Sequence, residues 1–299
     1  MVGYEALRES ATWIDLSGRG RIRASGEDRA RFLHAMTTNH IQQLQPGQNC
    51  YVFFLNPQGR ILTDANILAL PGSLVIDTEP EAGAKLYAHL EHFIIADDVT
   101  LEDLSSQWSS IGIEGPQSEE LFRSLDIAAR NDWVSAPISV SGGVGFRVLL
   151  PSSEREAFIT ELRSREVPEA DRESVKTVRL EHGLPRYGED ITDVNLPQET
   201  QQMRALHFTK GCYIGQEIVE RIRSRGHVNR LLTSLRIDSR EAPPPGAKVV
   251  VNNKEIGEIT SAAFSPALGC VVALGYVRAE HVGPQTPVHV AGATGQIAA

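Results

Sequence analysis

Cysteine is scarce in this 299-residue chain, and its three cysteines lie far apart. Cys50, Cys212 and Cys270 form no CxxC pair, which excludes a disulfide framework and a zinc ribbon. They are also too few for one chain to hold a four-thiolate iron–sulfur cluster, and no resident metal site is predicted. Long apolar runs are missing too, because no segment approaches the roughly 20 residues that span a bilayer. Residues 1–16 resemble neither a signal nor a transit peptide, so we expect a cytoplasmic, bacterial protein without a membrane partner.

Acidic side chains outnumber basic ones, and the formal net charge is −9. Segment 204–230 departs from this balance: it holds six cationic and two acidic residues, a net charge of +4 that leaves −13 for the rest of the chain. A basic segment in an acidic protein indicates an anionic ligand or partner. The alternative is a solvated helix face of ion-paired arginines. The overall acidity makes nucleic acid an unfavoured partner.

Hydrophobic periodicity predicts alternating strands and helices over the first two thirds of the chain. Strands are expected at 51–55, 61–68, 74–77 and 146–150, and helices are expected after Ser25, Pro80 and Ser153 and at 176–182. The strand-then-helix units beginning at Leu74 and Val148 lie 74 residues apart, which hints at two related halves; chance similarity of two short units is the alternative. Beyond Arg230, short β-rich runs alternate with Pro- and Gly-rich turns, which predicts a small barrel.

The most specific motif is Lys-Gly-Cys-Tyr-Ile-Gly-Gln-Glu at residues 210–217. It sets Cys212 between two glycines, beside Lys210 and just before a predicted helix, where a lowered thiol pKa is expected. Lys210 would hold the thiol as thiolate, and Gly211 and Gly215 would let a ligand approach closely. The alternative is a small buried residue packed in a tight turn.

Asp64 is the second candidate for chemistry. In an alternating strand its side chain shares a face with Leu62, Asn66 and Leu68. Burial between leucines would raise the pKa of this carboxyl, which suits a group that exchanges a proton. The alternative is an aspartate on an edge strand that faces water.

The motif at 210–217 resembles the signature of the YgfZ-type folate-binding proteins of iron–sulfur cluster assembly, which are relatives of the glycine-cleavage T-protein, an aminomethyltransferase. Segment 54–64, Phe-Leu-Asn-Pro-Gln-Gly-Arg-Ile-Leu-Thr-Asp, resembles a T-protein segment that ends in two aspartates. The second aspartate, which faces the reactive nitrogens of tetrahydrofolate in that enzyme, is kept as Asp64, whereas Thr63 replaces the first. Segment 178–191 resembles a wall of the T-protein folate cavity, and segments 256–262 and 273–277 resemble its barrel domain.

This resemblance implies an α+β, three-lobed fold. Two related α+β lobes, at 1–110 and 111–230, would surround a central folate cavity, and a C-terminal β-barrel at 231–299 would close it. The residues implied to bind folate are Asp64, Asn56, Arg179, Tyr187, Tyr213, Gly215, Gln216, Glu217, Arg221 and Arg223.

Several of these residues have a more specific expected role. Tyr187 would offer its ring to the pterin or benzoate. Arg179 would clamp a carboxylate, or alternatively would pair with Glu181 in a structural ion pair. Lys210, together with the arginines at 221 and 223, would attract the glutamate tail of the folate.

Two departures from the T-protein pattern affect the expected function. Arg147 stands where T-proteins carry a glutamate that hydrogen-bonds the pterin, and an arginine accepts no hydrogen bond. T-proteins also lack the cysteine of the 210–217 motif. Both departures favour a tetrahydrofolate-dependent accessory protein for iron–sulfur cluster assembly or repair, with Asp64 contacting the folate and Cys212 as the reactive or transiently ligating thiol.

Folate and iron–sulfur client or carrier proteins are therefore the expected partners, since a second molecule would have to complete any cluster held by Cys212. Two alternatives remain open. Asp64 favours a folate-dependent aminomethyltransferase or demethylase. The basic segment alone favours a non-enzymatic module that binds tRNA or a client enzyme.

Overall fold

Two antiparallel sheets with helices on their faces and one closed β-barrel make up the fold in the computed structural model, which describes residues 1–298. The elements before the barrel are α1 (Tyr4–Glu9), β1 (Thr12–Asp15), β2 (Gly20–Ser25), α2 (Arg29–Met36), β3 (Asn49–Leu55), β4 (Ile61–Leu70), β5 (Ser73–Thr78), α3 (Gly83–Phe93), β6 (Thr100–Asp103), β7 (Trp108–Glu114), α4 (Ser118–Ser124), β8 (Val134–Ala136), β9 (Gly145–Pro151), α5 (Arg155–Ser164), α6 (Arg172–Glu181) and α7 (Gln216–Arg225). The barrel strands are β10 (Arg230–Ile237), β11 (Lys248–Val251), β12 (Lys254–Ser265), β13 (Cys270–Arg278), β14 (Pro287–Val290) and β15 (Ala293–Ile297).

The first sheet has the strand order β3-β4-β5-β2-β6. Side chains alternate between its faces, so Val52 and Phe54 of β3 point to one side and Tyr51 and Phe53 to the other. The side that carries Val52 and Phe54 packs against α2 and α3, through residues such as Leu33. The opposite face of the sheet, which carries Tyr51 and Phe53, packs against later segments of the chain.

The second sheet has the strand order β1-β7-β9-β8. Its helices α4 and α5 pack on one face, where Trp13, Ile113, Phe158 and Leu162 form a common core. The first sheet contains a β-α-β-β-α-β unit, counted without the extra edge strand β3, and the second sheet has the same spatial strand order. In the second sheet, β1 from the N-terminus pairs with β7 and takes the place that β6 takes beside β2. The two halves are therefore related in topology.

The six barrel strands close because β10 pairs with β13 on one side and with β15 on the other. Leu235, Val249, Ile259, Val271 and Val290 fill the interior. The barrel that the β-rich texture predicts is thus confirmed.

The remaining contacts fix how the barrel meets the sheets. Helix α6 packs on the outside of the barrel, where Leu180 contacts the outward-facing Leu232, Leu274 and Tyr276. In the described part of the chain, none of the helices has the length and apolar character to cross a membrane.

Candidate functional site

Asp64 lies on β4, between β3 and β5, so the alternative of an edge-strand aspartate is wrong. The residue is only 7% exposed. Tyr51 Oη donates a hydrogen bond of 2.6 Å to Asp64 Oδ2. Burial, together with the negative charge of Glu79, raises the pKa of Asp64 to about 6. This carboxyl therefore changes its protonation state near neutral pH, which is the condition for proton exchange with a ligand.

Tyr51 and Arg204 complete the surroundings of Asp64, and both are missing from the residues expected from the sequence. The guanidinium carbon of Arg204 lies 4.7 Å from the centroid of the Tyr51 ring. The side-chain amide of Asn39 donates to the carbonyl oxygens of Tyr51 and of Arg204, at 2.9 Å each, and so ties the two segments together. Phe53 pairs with Asp64, which places Tyr51 two residues along on the same face. This register depends on a β-bulge between Phe54 and Leu55, which the sequence does not signal.

A buried ion-pair cluster joins the two sheets close to this site. Asp77 of β5 accepts hydrogen bonds from Arg147 of β9 and from Arg19, and the side chains of Asp77 and Arg147 are both 0% exposed. Burial opposes ionisation of Asp77, but the two guanidinium groups outweigh it and lower the pKa of this carboxyl. Glu79 pairs with Arg19 and also with Arg186, at 2.8 Å from Arg186 Nη2. Arg147 therefore connects the two halves of the fold.

Not every donor in this cluster is satisfied. Nε and Nη2 of Arg147 are buried and have no hydrogen-bond partner among residues 1–298. The same holds for Nε and Nη1 of Arg21, whose Nη2 donates to the carbonyl oxygens of Ser17 and Ser105. An unpaired buried donor is costly, so these N–H groups favour an acceptor atom of a ligand.

The cysteine motif forms a loop that leads into α7. Gly215 caps the helix with a φ of 81°, and a Cβ placed there would lie 2.7 Å from the carbonyl oxygen of Asn56. A Cβ at Gly59, where φ is 73°, would lie 2.7 Å from Cβ of Ile218. The start of α7 therefore packs directly on the β3–β4 turn. Asn56 shapes that turn, because its Oδ1 accepts a hydrogen bond of 2.9 Å from the amide of Arg60.

Cys212 lies exposed on this loop, so the alternative of a buried packing residue is wrong. A Cβ added at the neighbouring Gly211 would meet no atom within 4 Å, which shows that the loop is open on this side. The amide of Tyr213 donates 3.3 Å to Oε1 of Gln216. Burial, with Glu220 nearby, raises the pKa of the Tyr213 phenol to about 12.

Lys210 has a different role from the one expected. Its Nζ donates to the carbonyl oxygens of His34 and Thr37 at the C-terminal end of α2, with 2.6 Å to the Thr37 oxygen. The same Nζ lies 4.7 Å from the centroid of the Tyr213 ring, and burial lowers the pKa of Lys210 to about 8. Cations at helix C-termini satisfy carbonyl groups that lack a partner within the helix. The expectation of a surface cation beside Cys212 or the folate tail is therefore revised, since the ammonium group is buried on α2.

Arg221 and Arg223 of α7 remain on the surface, in agreement with a solvated helix face. Arg221 pairs with Glu217 at 2.9 Å, and Arg223 pairs with Glu220 at 3.2 Å. The guanidinium carbon of Arg223 also lies 4.4 Å from the centroid of the Phe208 ring. Exposed pairs of this kind contribute little free energy, so the arginines stay free to exchange partners with an anion. The tRNA- or client-binding alternative rests on this segment alone and stays a prediction.

Arg179 is a buried structural residue. Its Nη1 donates 2.6 Å to Asp190 Oδ2, and its Nη2 donates 2.8 Å to Glu189. Asp190 in turn accepts a hydrogen bond of 2.5 Å from Thr260 of the barrel. Glu181 is not its partner, because that carboxylate accepts hydrogen bonds from Tyr4 and Arg8. The expected carboxylate clamp is therefore replaced by an ion pair that fixes the loop after α6 to the barrel.

Tyr187 holds the same loop against the first sheet. Its hydroxyl donates 2.5 Å to the carbonyl oxygen of Leu62, two residues before Asp64. The ring packs with Phe53 and Ile61 in an apolar cluster, so burial raises the pKa of the phenol to about 12. Tyr187 thus positions the strand that carries Asp64. Within residues 1–298, no group of three or more His, Cys, Asp or Glu side chains is arranged to hold a metal ion.

The contact between α7 and the β3–β4 turn gives a first testable prediction. Gly215→Ala adds a methyl group in contact with Asn56 and strains the backbone, so we expect a loss of about 2–4 kcal/mol in the free energy of unfolding. Gly211→Ala is the matched control: it also has positive φ, 100°, but open space around it, and should cost about 1–2 kcal/mol. Urea denaturation measures both values, and equal losses would contradict the packing role of Gly215.

Comparison with known proteins supports one family over nearly the whole chain. Residues 3–136 match the GCVT N-terminal domain, and residues 230–299 match the glycine cleavage T-protein C-terminal barrel domain. The chain belongs to the glycine-cleavage T-protein superfamily. The crystal structure of glycine cleavage system aminomethyltransferase T from Bartonella henselae has the same fold, with a TM-score of 0.91 over 99% of this chain and 87% of that chain, at 22% sequence identity.

Curated relatives of this T-protein homologue include aminomethyltransferases. The one from Rippkaea orientalis is 27% identical over 318 residues, which cover 96% of this chain and 84% of the relative. The one from Streptomyces avermitilis is 28% identical over 305 residues, covering 94% of this chain and 82% of the relative. The T-protein-like fold predicted from the sequence is confirmed. The YgfZ-type branch, the lobe boundaries at 110 and 230, the folate-binding residues and the cytoplasmic location stay predictions.

Proposed function

We propose that this T-protein homologue binds tetrahydrofolate or a one-carbon derivative, and that Asp64 exchanges a proton with it during one-carbon transfer of the aminomethyl type. The observation that carries this proposal is the buried Asp64 carboxyl, hydrogen-bonded to Tyr51 and with its pKa raised to about 6 by burial and by Glu79. A general acid or base works best when its pKa lies near the working pH. The names of the curated relatives support the reaction class.

The residues around Asp64 fit a folate. A reduced pterin presents both hydrogen-bond donors and acceptors on its ring. Asp64 supplies an acceptor when it is ionised and a donor when it is protonated. Arg147 is fully buried in its ion pair with Asp77, so its unpaired N–H groups serve only a ligand that reaches the contact between the two sheets. Arginine in the place of the T-protein glutamate therefore favours a different hydrogen-bonding pattern with the ring. When bound, tetrahydrofolate supplies the nitrogen atoms that receive the one-carbon group.

Within this proposal each protein group has a defined task. Asp64 holds or releases the proton at its carboxyl. Tyr51 stabilises the ionised form by donating to Oδ2, while the cation of Arg204 over its ring keeps that phenol in place. Tyr187 fixes the backbone of β4 through Leu62, so that the carboxyl has one position.

The test combines a binding and a transfer measurement on the full chain. Tetrahydrofolate is titrated by calorimetry under anaerobic conditions, and formation of methylenetetrahydrofolate is then followed with formaldehyde or an aminomethylated amine as donor. Binding with catalysed transfer supports the proposal. Binding without transfer removes the transferase part, and the absence of binding removes the proposal as a whole.

A second candidate function follows from Cys212. We propose that the exposed thiol contacts an iron–sulfur cluster or its acceptor protein during cluster assembly or repair, with folate bound at the Asp64 site. The exposure of Cys212 on an open loop at the start of α7 favours this role. Since the chain has one exposed cysteine among its three, a client protein or small thiol would provide the other ligands of the cluster.

Cys212→Ser separates the two candidates. Because the side chain is exposed, we expect the melting temperature and tetrahydrofolate binding to stay unchanged. Rescue of iron–sulfur enzyme activity in a strain that lacks the protein should be lost if the thiol contacts the cluster. Cys270→Ser, at a half-buried barrel position, is the control and should rescue. Full rescue by Cys212→Ser would refute the second candidate and leave the transferase proposal untouched.

A further inference from the structure

A pocket of about 260 Å³ lies on the outside of the barrel and shares no residue with the Asp64 site. Val277 of β13 points into the barrel core, so its neighbours Tyr276 and Arg278 point outward. The polar lining consists of Arg230, Lys248, Glu255, Glu258, Tyr276 and Arg278. Three cations and two carboxylates thus surround one phenol in a concave surface.

The strand register brings two arginines together in this pocket. Arg230 of β10 and Arg278 of β13 are direct cross-strand partners. Like charges at such positions repel each other, so the arrangement favours an anion between them. Arg230 has Glu199 at 3.2 Å, whereas Arg278 has no ion-pair partner within residues 1–298. The third cation, Lys248, is already paired with Glu258 at 3.1 Å.

Tyr276 provides an independent sign of a ligand. The residue is 5% exposed, and its hydroxyl is buried without a hydrogen-bond partner in the described part of the chain. The guanidinium carbon of Arg230 lies 4.8 Å from the centroid of its ring. Buried hydroxyl groups nearly always have a partner, and one that lines a pocket is free to donate to a ligand oxygen.

We propose that this pocket binds the carboxylate or phosphate group of a small anionic ligand, held by Arg278 and Arg230 and by a hydrogen bond from the Tyr276 hydroxyl. Guanidinium groups bind both kinds of oxyanion through paired, charge-assisted hydrogen bonds. Glu255 and Glu258 at the same pocket disfavour ligands with a high negative charge and provide acceptors for a neighbouring donor group. The site is separate from the proposed folate site, and the two proposals stand or fall independently.

Calorimetric titration of the full chain with inorganic phosphate and with acetate, at low ionic strength, tests this site. Binding of phosphate alone identifies a phosphate site, binding of acetate alone identifies a carboxylate site, and binding of both identifies a site for either oxyanion. We expect Arg278→Gln to weaken binding about tenfold or more, because a charge-assisted hydrogen bond is lost. Arg236→Gln is the matched control, since Arg236 is an exposed arginine on the same strand as Arg230 but outside the pocket, and less than about a twofold change is expected.

Tyr276→Phe tests the hydroxyl directly. Since this hydroxyl makes no hydrogen bond in the described structure, its removal should leave the melting temperature unchanged or raise it, while anion binding weakens about fivefold. The proposal is overturned if neither anion binds, if Arg236→Gln weakens binding as much as Arg278→Gln, or if Tyr276→Phe binds as tightly as the wild type.

Discussion

Asp64→Asn is expected to stabilise the fold near pH 7 and, at the same time, to slow one-carbon transfer by about 10²–10⁴-fold. The folded protein favours the neutral carboxyl, because burial and Glu79 raise its pKa from 3.8 to about 6. The stability of the neutral form is therefore fully present below pH 3.8 and is lost as the pH rises through about 6. One pKa unit corresponds to about 1.4 kcal/mol, so ionised Asp64 costs on the order of 2–3 kcal/mol at neutral pH. Asparagine has nearly the same shape and avoids this cost.

Urea denaturation at pH 4 and pH 7.5 measures the effect on stability. The variant should be more stable than the wild type at pH 7.5, and the difference should shrink towards zero at pH 4. Asp193→Asn is the matched control, because it removes one carboxylate whose side chain is 62% exposed and should change stability by less than about 0.5 kcal/mol. An unchanged stability at pH 7.5 would contradict the burial of a charged Asp64.

Asp64→Asn is expected to lower activity, although it raises stability. Loss of a general acid or base lowers the rate by about 10²–10⁴-fold, whereas ligand binding depends on other groups as well. Transfer by Asp64→Asn should therefore fall by this factor while tetrahydrofolate still binds. Transfer at the wild-type rate would exclude Asp64 as the group that exchanges the proton.

Asp77→Asn is expected to cause a large loss of stability. The substitution leaves Arg147 and Arg19 buried without their shared carboxylate, and breaking a buried ion pair in this way costs about 3–5 kcal/mol. For a protein of this size, each kcal/mol lowers the melting temperature by roughly 2–4 °C. Glu119→Gln is the control, because its pair with Arg123 is exposed and should contribute less than about 1 kcal/mol.

The stability contributed by the Asp77 carboxylate depends on pH in the opposite sense to that of the Asp64 carboxyl. Despite the opposing effect of burial, Arg147 and Arg19 lower the pKa of Asp77 below 3.8, so its stabilising effect is present above that pH and is lost as the pH falls through the lowered value. The difference between wild type and Asp77→Asn should therefore be constant from pH 5 to 7.5 and shrink in stronger acid. A loss below about 1 kcal/mol at pH 7 would contradict the bridging role of Asp77.

Local patterns in the sequence predict much of this structure. Alternation and turn residues are enough to place β3, β4 and β5 and the barrel strands, because the signals for strands and tight turns lie within a few residues of each other. The same alternation puts Asp64 on one face with Asn66 and Leu68, as the structure shows. The expectation that Leu62 shares this face is wrong, because the β-bulge turns Leu62 to the side that packs against α2 and α3. The register of β3 against β4 does not follow from the turn alone, because a β-bulge between Phe54 and Leu55 shifts it by one residue. Counted from the Leu55–Ile61 pair, Thr63 rather than Asp64 would lie opposite Phe53, so the contact of Tyr51 with Asp64 has no local signal in the sequence.

Other features depend on contacts between distant parts of the chain. Arg147 and Asp77 are 70 residues apart, and the ion pair forms only because two sheets meet. Lys210 lies 176 residues from His34, so its position on the end of α2 has no local signal. A cationic residue next to a cysteine in sequence is thus a weak guide to which group it contacts. The ion pair between Arg179 and Asp190 also has no local signal, because Asp190 is held in place partly by a hydrogen bond from Thr260 of the distant barrel.

The N-terminal strand β1 has a consequence for synthesis of the protein. Thr12 pairs with Glu114 of β7. After β1 has been synthesised, about 100 further residues must therefore be added before β7 is available to pair with it. At ribosomal rates of about 5–20 residues per second, this delay is roughly 5–20 s. The first sheet needs nothing beyond β6 and can form during that interval. The second sheet is completed afterwards by a strand made at the beginning, so the nascent chain must keep residues 12–15 unpaired and accessible while the domain next to them folds.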